Sequence, residues 1–425
     1  MTSPSRTKRR GQLRRFLANL GPGLITGAAD DDPSGISTYS VAGASIGYPV
    51  LWTALFTFPL MAAVQLMCAR LGLVTGRGLG AVIRKRYPSW VLWTACFLLV
   101  VANVFNLGAD LGGMGDVMQM VTGVSTYLWT PLFTALIVAL LFWSSYRRIE
   151  QVFKWLTMVL FAYAITAFFA HPDWRAVVYS TFVPHIEWTR DFLSVLVGLL
   201  GTTISPYLFF WQASEEVEEE REKGRTTVEQ REGATDEELA EATTDSNTGM
   251  FYSNLVMYFI ILTTAATLHN HGIRNIETAR QAADALAPLA GRGASWLFAI
   301  ALIGVGMLAV PILAGSCAYA IAEAAQWESE SLNEHPWRAP QFYSVIGIAM
   351  LVGLALNFFG IQAVRMLFWA AVLNGVLAPP LVVLVVLLSG DRKVMGDRIN
   401  GPVASGLGWM CAAFMAFAAI AMFVI

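Results

Sequence analysis

The sequence predicts an all-α integral membrane protein with about eleven transmembrane helices, of which the first and the sixth are broken. Hydrophobic residues make up 56% of the 425 residues and charged residues only 14%, whereas ordinary soluble domains carry roughly 25% charged residues. The mean hydropathy is +0.55. Apolar stretches of bilayer length recur along the whole chain, and prolines, glycines and polar residues interrupt two of them.

Eleven apolar stretches are long enough to cross a bilayer. They lie near 22–47, 50–73, 90–121, 127–146, 152–170, 191–213, 247–268, 294–324, 342–361, 365–388 and 404–424. The third and the eighth are long enough to tilt or to extend beyond the bilayer. Merging or splitting two adjacent spans would give ten or twelve.

Clusters of lysine and arginine indicate the orientation of the spans. They precede the first span and follow the second, fourth and tenth: Arg6, Lys8, Arg9, Arg10, Arg14, Arg15, Arg77, Arg84, Lys85, Arg86, Arg147, Arg148, Lys154, Arg392, Lys393 and Arg398. All of them fall on one side if the N-terminus is cytoplasmic. We therefore expect a multi-pass protein of the plasma (inner) membrane, with residues 1–21 as a basic cytoplasmic segment.

The first span contains three consecutive acids, Asp30, Asp31 and Asp32, followed by Pro33 and Gly35. A charged side chain near the bilayer centre costs roughly 2.5–3.5 kcal/mol, so such a cluster indicates a functional site. The proline and the glycine free backbone groups from the helix, which is tolerated only where the backbone lines a cavity or is buried in protein. A broken helix with acids at the break is typical of a cation site in a transporter; the alternative is a soluble Asp-Pro helix cap.

The sixth span carries a second break in the stretch Gly-Leu-Leu-Gly-Thr-Thr-Ile-Ser-Pro-Tyr, residues 198–207. Two interrupted spans at corresponding places indicate a binding site between inverted repeats. A kink that serves only packing is the alternative for Pro206. The expected domains are a transporter core at 22–388, made of two five-helix repeats at about 22–170 and 191–388, and an eleventh helix at 404–425 outside the repeat.

Residues 214–245 form the one strongly polar loop of the chain. We expect a solvated cytoplasmic helix with Glu–Lys and Glu–Arg pairs four residues apart, and a cation antechamber or a regulatory sensor is the alternative. His269 and His271 are expected to be solvated in an outer loop. The four cysteines stand singly in apolar segments, which indicates packing residues.

Unwinding at the breaks exposes carbonyl oxygens, which suit a hard cation. Asp32 would add the formal charge there. Asp30 and Asp31 are expected to lie on other faces, because three consecutive residues cannot all point at one ion. No nucleotide loop, catalytic triad, cofactor motif or nucleic-acid footprint occurs in the sequence, so we expect neither an enzyme nor a cofactor.

Several motifs are similar to those of the Nramp family, proton-coupled transporters of manganese, iron and related divalent metals. They are Gly21 followed at the family spacing by Asp32-Pro33-Ser34-Gly35, and the stretches 42–52, 69–79 and 391–397. The resemblance covers nearly the whole chain. It implies a LeuT-type inverted-repeat fold, with a divalent metal ion as the transported substrate and no cofactor.

The chain departs from the family pattern within the expected site. The family asparagine after Asp-Pro-Gly is Gly35, and the family Met-Pro-His is Ser205-Pro206-Tyr207. The backbone carbonyl that the family contributes three residues before that methionine maps to Thr202. Loss of the thioether and of the asparagine implies a harder, roomier site, in which an ion retains several waters.

The family's proton route is also altered. Its third-span Asp-x-x-Glu retains only Asp110, with Gly113 in place of the glutamate, and a later histidine aligns with Gln212. A tenth-span glutamine aligns with Ala371, and Asn374 one turn further on is the expected substitute. These changes imply weak or absent proton coupling, with Asp110 as a residue of the ion or proton route.

We therefore expect a secondary transporter or facilitator of Mg²⁺ or Mn²⁺. The expected metal site consists of Asp32, Thr202, Ser205 and Asn374, with Ser34, Gly35 and Tyr207 lining it. One alternative is a transporter of a small organic cation, bound by the aromatic rings of residues 207–211. The other is a non-transporting membrane sensor that signals through residues 214–245. Beyond the lipid bilayer and the ion no partner is indicated, and the oligomeric state is open.

Overall fold

A computed structural model describes residues 22–143, 158–327 and 331–425, and all regular structure in these ranges is helical. The α-helices are α1 (Pro22–Asp30), α2 (Pro33–Ser45), α3 (Trp52–Thr75), α4 (Leu79–Arg86), α5 (Ser89–Thr122), α6 (Thr126–Trp143), α7 (Phe161–Phe169), α8 (Trp174–Phe182), α9 (Arg190–Thr203), α10 (Pro206–Glu222), α11 (Val228–Arg231), α12 (Asp236–Thr267), α13 (Ala279–Asp284), α14 (Ala287–Ala290), α15 (Ala294–Ala325), α16 (Pro340–Leu356), α17 (Ala363–Ser389), α18 (Arg392–Met395) and α19 (Pro402–Val424). Short 3₁₀ turns lie at Tyr48–Val50, Met158–Leu160, His269–His271, Gly291–Gly293 and Asn357–Phe359.

Within the described ranges, nine helical segments are long and apolar enough to span a membrane. Helices α9 and α10 form one of these segments, interrupted at its middle. The predicted first span is divided into α1 and α2. The predicted fifth span contains the shorter apolar segment Met158–Phe169, and its beginning lies outside the described residues. Within the described residues each of the eleven predicted spans thus corresponds to helix, and the predicted all-α membrane fold with broken first and sixth helices is confirmed.

The broken helices lie at the centre of the bundle. Helices α1 and α2 pack against α12, α9 packs against α17 and α2, and α10 packs against α3 and α15. A Cβ atom on Gly375 of α17 would lie 2.8 Å from a Val197 methyl carbon of α9. This spacing shows that a glycine is needed for the close approach of the two helices, as is usual between membrane helices.

The polar segment 214–245 differs from the predicted loop. Helix α10 continues to Glu222 and α12 begins at Asp236, so the connection covers only residues 223–235. The predicted i,i+4 pairing is present between Lys223 Nζ and Glu219 Oε1, at 3.1 Å. The expectation of a fully solvated helix is wrong, however, because Glu216, Glu218 and Glu220 are buried against the bundle.

Three further expectations concern a loop histidine, the four cysteines and the basic clusters. His269 is only partly exposed and its Nδ1 lies 2.8 Å from the carbonyl oxygen of Ala44, so the prediction that it is merely solvated is wrong. All four cysteines are buried and free, as predicted. The basic segment 1–21 and the cluster Arg147, Arg148 and Lys154 lie outside the described residues, and the cytoplasmic position of the N-terminus stays a prediction.

Candidate cation site

The two helix breaks have the same backbone pattern. Helix α2 begins with Pro33 and α10 begins with Pro206, in each case at the first helical position, where the missing N–H of proline costs no hydrogen bond. Asp32 and Ser205 precede the prolines in extended conformation, as N-cap residues do. The Tyr207 hydroxyl donates a hydrogen bond of 2.9 Å to the Ala29 carbonyl. This bond joins the beginning of α10 to the end of α1, so the two breaks lie side by side.

The carboxylate of Asp32 is buried and accepts three hydrogen bonds. Its Oδ1 accepts from the Ser34 hydroxyl and the Gly35 N–H, both at 2.7 Å. Its Oδ2 accepts from the Asn106 side-chain amide at 2.9 Å. The two oxygens of an ionised carboxylate offer about four acceptor positions, and the dipole at the N-terminus of α2 stabilises the charge. The carboxylate is therefore held in one orientation with acceptor capacity left for a cation.

Asn106 is a residue of the site that the sequence analysis missed. It lies four residues before Asp110 in α5, so both side chains project from one face of the helix. The Oδ1 of Asp110 accepts from the backbone N–H of Ser34 at 3.2 Å, and its Oδ2 has no hydrogen-bond partner among the described residues. The structure therefore brings the predicted residues Asp32, Ser34 and Asp110 together.

Gly35 and Thr202 lie at a close contact between α2 and α9. A Cβ atom at Gly35 would lie 2.9 Å from the Thr202 hydroxyl oxygen, 3.3 Å from the Asp30 carbonyl oxygen and 3.5 Å from Asp32 Oδ1. The expectation that the missing asparagine leaves room is therefore wrong on this side, because the Thr202 side chain takes the space. A larger residue at position 35 would therefore press against the Thr202 hydroxyl.

Ser205 lies directly beside the predicted carbonyl ligand. Its hydroxyl lies 2.9 Å from the carbonyl oxygens of both Thr202 and Gly201, which share its single hydrogen. Because the hydrogen is directed back to α9, the oxygen lone pairs remain available for a cation or for a bound water. The structure thus places Ser205 and the Thr202 carbonyl at the same break.

Asn374 is buried in α17, one residue before the glycine that packs against α9. Its side-chain nitrogen has no hydrogen-bond partner among the described residues. It is thus a buried amide beside the helix that provides Thr202, although no hydrogen bond connects it to Asp32.

Asp30 and Asp31 contact a different helix from the partners of Asp32. The hydroxyl of Ser253 in α12 lies 2.6 Å from Asp30 Oδ2 and 3.2 Å from Asp31 Oδ1. One hydroxyl can donate only one hydrogen, so the pair shares a single donor. Ser253 has no sequence signal of its own, because it lies in a helix far away along the chain.

A polar network extends from the breaks along α10. The Gln212 side-chain oxygen accepts from the hydroxyl of Thr26 at 2.7 Å and from the amide of Gln65 at 3.1 Å. Its nitrogen donates to Glu216 Oε1 at 2.8 Å. Gln212 therefore links α1, α3 and α10. It occupies the position that aligns with a family histidine.

A family model described as "Natural resistance-associated macrophage protein-like" matches residues 23–425. The chain belongs to the Nramp family. A curated family relative from Mesorhizobium japonicum, named "Divalent metal cation transporter MntH", is 28% identical over 418 residues, covering 95% of this chain and 87% of the relative. A relative of the same name from Caldanaerobacter subterraneus subsp. tengcongensis is 26% identical over 413 residues, covering 95% and 92% of the two chains.

Solved structures give the same fold. The manganese transporter of Eremococcus coleocola, crystallised with an aromatic bis-isothiourea compound, superposes with a TM-score of 0.74 at 19% identity, over 99% of this chain and 87% of that chain. Mhp1, a nucleobase-cation-symport-1 family transporter, gives a TM-score of 0.58 at 15% identity, over 95% and 91% of the two chains. This Nramp chain therefore has the predicted LeuT-type fold.

Proposed function

We propose that this Nramp chain is a secondary transporter or facilitator of a divalent metal cation, Mg²⁺ or Mn²⁺, with weak or absent proton coupling. The observation that carries the proposal is the buried carboxylate of Asp32 at a helix break, held by three donors with acceptor capacity remaining. Family membership and the names of the curated relatives support a divalent metal as substrate. They also support a protein that is not an enzyme, and the nine long apolar segments support a plasma membrane location.

Each predicted ligand has a distinct part in the proposed site. Asp32 supplies the charge, and Thr202 supplies a carbonyl oxygen at the end of α9. Ser205 and Asn374 contribute polar groups to the ion or to its retained waters. Ser34, besides lining the site, holds Asp32 through its hydroxyl and Asp110 through its N–H.

The donor set favours hard ions. Carboxylate, carbonyl, hydroxyl and water oxygens suit Mg²⁺ and Mn²⁺, whereas a thioether selects softer metals. Ser205 stands where the resemblance placed a methionine, so the site contains no sulfur at that position. Mg²⁺ retains several waters when bound, and the buried polar groups around Asp32 can accept hydrogen bonds from them.

The residues beside the site also support weak proton coupling. A proton relay requires groups that titrate near neutral pH, which histidine does and a glutamine amide does not. Gln212 fills a family histidine position and uses its amide in three hydrogen bonds. Tyr207 fills another and donates to Ala29. Asp110 is the one acid retained of the third-span pair.

Uptake into proteoliposomes that contain the purified full-length protein tests this function. Mg²⁺, Mn²⁺, Ca²⁺ and guanidinium are compared side by side, with Asp32→Ala as the inactive variant and protein-free liposomes as the background. We expect saturable uptake of Mg²⁺ and Mn²⁺ that Asp32→Ala abolishes. Uptake of guanidinium in preference to every metal would show that the substrate is an organic cation. Full transport by the variant would show that Asp32 does not belong to the site.

A further inference from the structure

A basic cleft lies at the end of the bundle where α3 and α17 finish. It has a volume of about 250 Å³. Its lining residues come from four separate parts of the chain: Thr75, Arg77, Val82, Lys85, Arg86, Glu232, Lys393 and Val394. Four of these side chains are cations and one is an anion, and the function proposed above uses none of them.

Three of the four cations in the cleft form no direct ion pair among the described residues, although Glu229 interacts electrostatically with Arg77 and Asp391 with Lys393. Arg86 forms an ion pair with Asp391, and this contact holds the pKa of the Asp391 carboxyl below its usual range. Arg77, Lys85 and Lys393 form no ion pair with any residue that the structure describes. The Nε atom of Arg77 is buried and has no hydrogen-bond acceptor among the described residues. Like charges held together in this way attract an anion.

The cleft lies just beyond the ends of two membrane-spanning helices, at the expected level of the lipid headgroups. Arg77 follows the last residue of α3 by two positions, and Lys393 follows the last residue of α17 by four. Trp90, just beyond α4, is 71% exposed, and exposed tryptophans mark the membrane–water interface. The charged groups therefore lie where a membrane-spanning segment meets the headgroup layer.

We propose that this cleft binds a phosphate group, and that the phosphate belongs to the headgroup of an anionic phospholipid. Arginine and lysine donors arranged around one cavity are the recognised chemistry for phosphate oxygens. Basic pockets between helix ends at the membrane surface favour such headgroups. Bound phosphate would connect α4 to α18 across the same gap that the Arg86–Asp391 pair crosses.

The test measures the thermal unfolding midpoint of the purified full-length protein in detergent with three additives. These are short-chain phosphatidylglycerol, short-chain phosphatidylcholine and inorganic phosphate. The cleft variant Lys85→Gln/Lys393→Gln is compared with Arg338→Gln/Arg392→Gln, which removes two exposed charges that do not line the cleft. A third variant, Arg77→Gln, probes the cleft independently.

Phosphatidylglycerol should raise the midpoint of the wild-type protein saturably, whereas phosphatidylcholine should not. The cleft variant should require roughly 30-fold more phosphatidylglycerol, since each basic residue near an anionic headgroup contributes about a five-fold gain, while the control variant keeps the wild-type response. If inorganic phosphate at equal concentration raises the midpoint and this rise depends on the two lysines, the cleft binds phosphate but its ligand is a soluble anion. An unchanged phosphatidylglycerol response in both cleft variants, or an equal loss in the control, would overturn the proposal.

Discussion

Replacement of Gly35 by alanine tests the packing of the site most directly. The added Cβ would lie 2.9 Å from the Thr202 hydroxyl oxygen and 3.3 Å from the Asp30 carbonyl oxygen. Overpacking of a buried contact costs about 1–3 kcal/mol, and replacing glycine by alanine within a helix returns about 1 kcal/mol. The expected net loss for Gly35→Ala is therefore about 0–2 kcal/mol.

Gly406 provides the matched control. It lies within α19, and a Cβ atom there would meet nothing within 4 Å. Gly406→Ala should therefore raise the free energy of unfolding by about 1 kcal/mol, through the higher helix propensity of alanine alone. The free energies of unfolding of the two variants should differ by about 1–3 kcal/mol. The unfolding midpoints of the two purified variants give this difference without any metal ion present.

Thr202→Ala should relieve the contact. The double variant Gly35→Ala/Thr202→Ala is expected to recover about 1 kcal/mol relative to the sum of the single variants, as neighbouring residues that share a contact do. If Gly35→Ala unfolds at the same temperature as Gly406→Ala, or if Thr202→Ala brings no recovery, α2 and α9 do not pack as described. A confirmed contact means that restoring the family asparagine at position 35 requires a smaller residue at 202.

Three further predictions concern the ion. Asp32→Ala should abolish metal binding, measured by calorimetry on correctly inserted protein, whereas Asp30→Asn and Asp31→Asn should retain at least part of it because those carboxylates face Ser253; equal loss in all three would contradict the assignment. Ser205→Met should strengthen Cd²⁺ and weaken Mg²⁺ in competition against Mn²⁺ uptake, because a thioether is a soft ligand and displaces a bound water; an unchanged order of competition would show that position 205 does not face the ion. Metal uptake should not acidify liposomes that contain a pH dye, and acidification in proportion to uptake would refute weak coupling.

Much of the fold could be predicted because its signals are local. Long apolar stretches correspond to helices in each described span, and Asp-Pro and Ser-Pro mark the starts of α2 and α10. Asp32 and Asp110 could be named because a carboxylate in an apolar stretch is conspicuous by itself. Asn106 carries a local signal as well, because it is a polar residue one helical turn before Asp110.

Other parts of the site could not be predicted, because they depend on partners far apart in the chain. Ser253 becomes relevant only once α12 packs against α1. Glu216 and Glu220 belong to a stretch whose composition is typical of a solvated helix, yet the packing of α10 buries them. The close approach of Thr202 to Gly35 likewise depends on how α2 and α9 are placed relative to each other. The local sequence around either helix break does not give that placement.

The break explains why adjacent aspartates have different roles. Asp30 ends α1, where the helix dipole places partial negative charge, whereas Asp32 precedes α2, where the N-terminal dipole and the Gly35 N–H stabilise a carboxylate. These donors hold the Asp32 carboxyl in one orientation, while the carbonyl of Thr202 ends α9 nearby. A cation at this place would meet a carboxylate stabilised by one half-helix and the negative end of another. The same helix break that makes an acid tolerable in the membrane therefore also makes the site attractive to a cation.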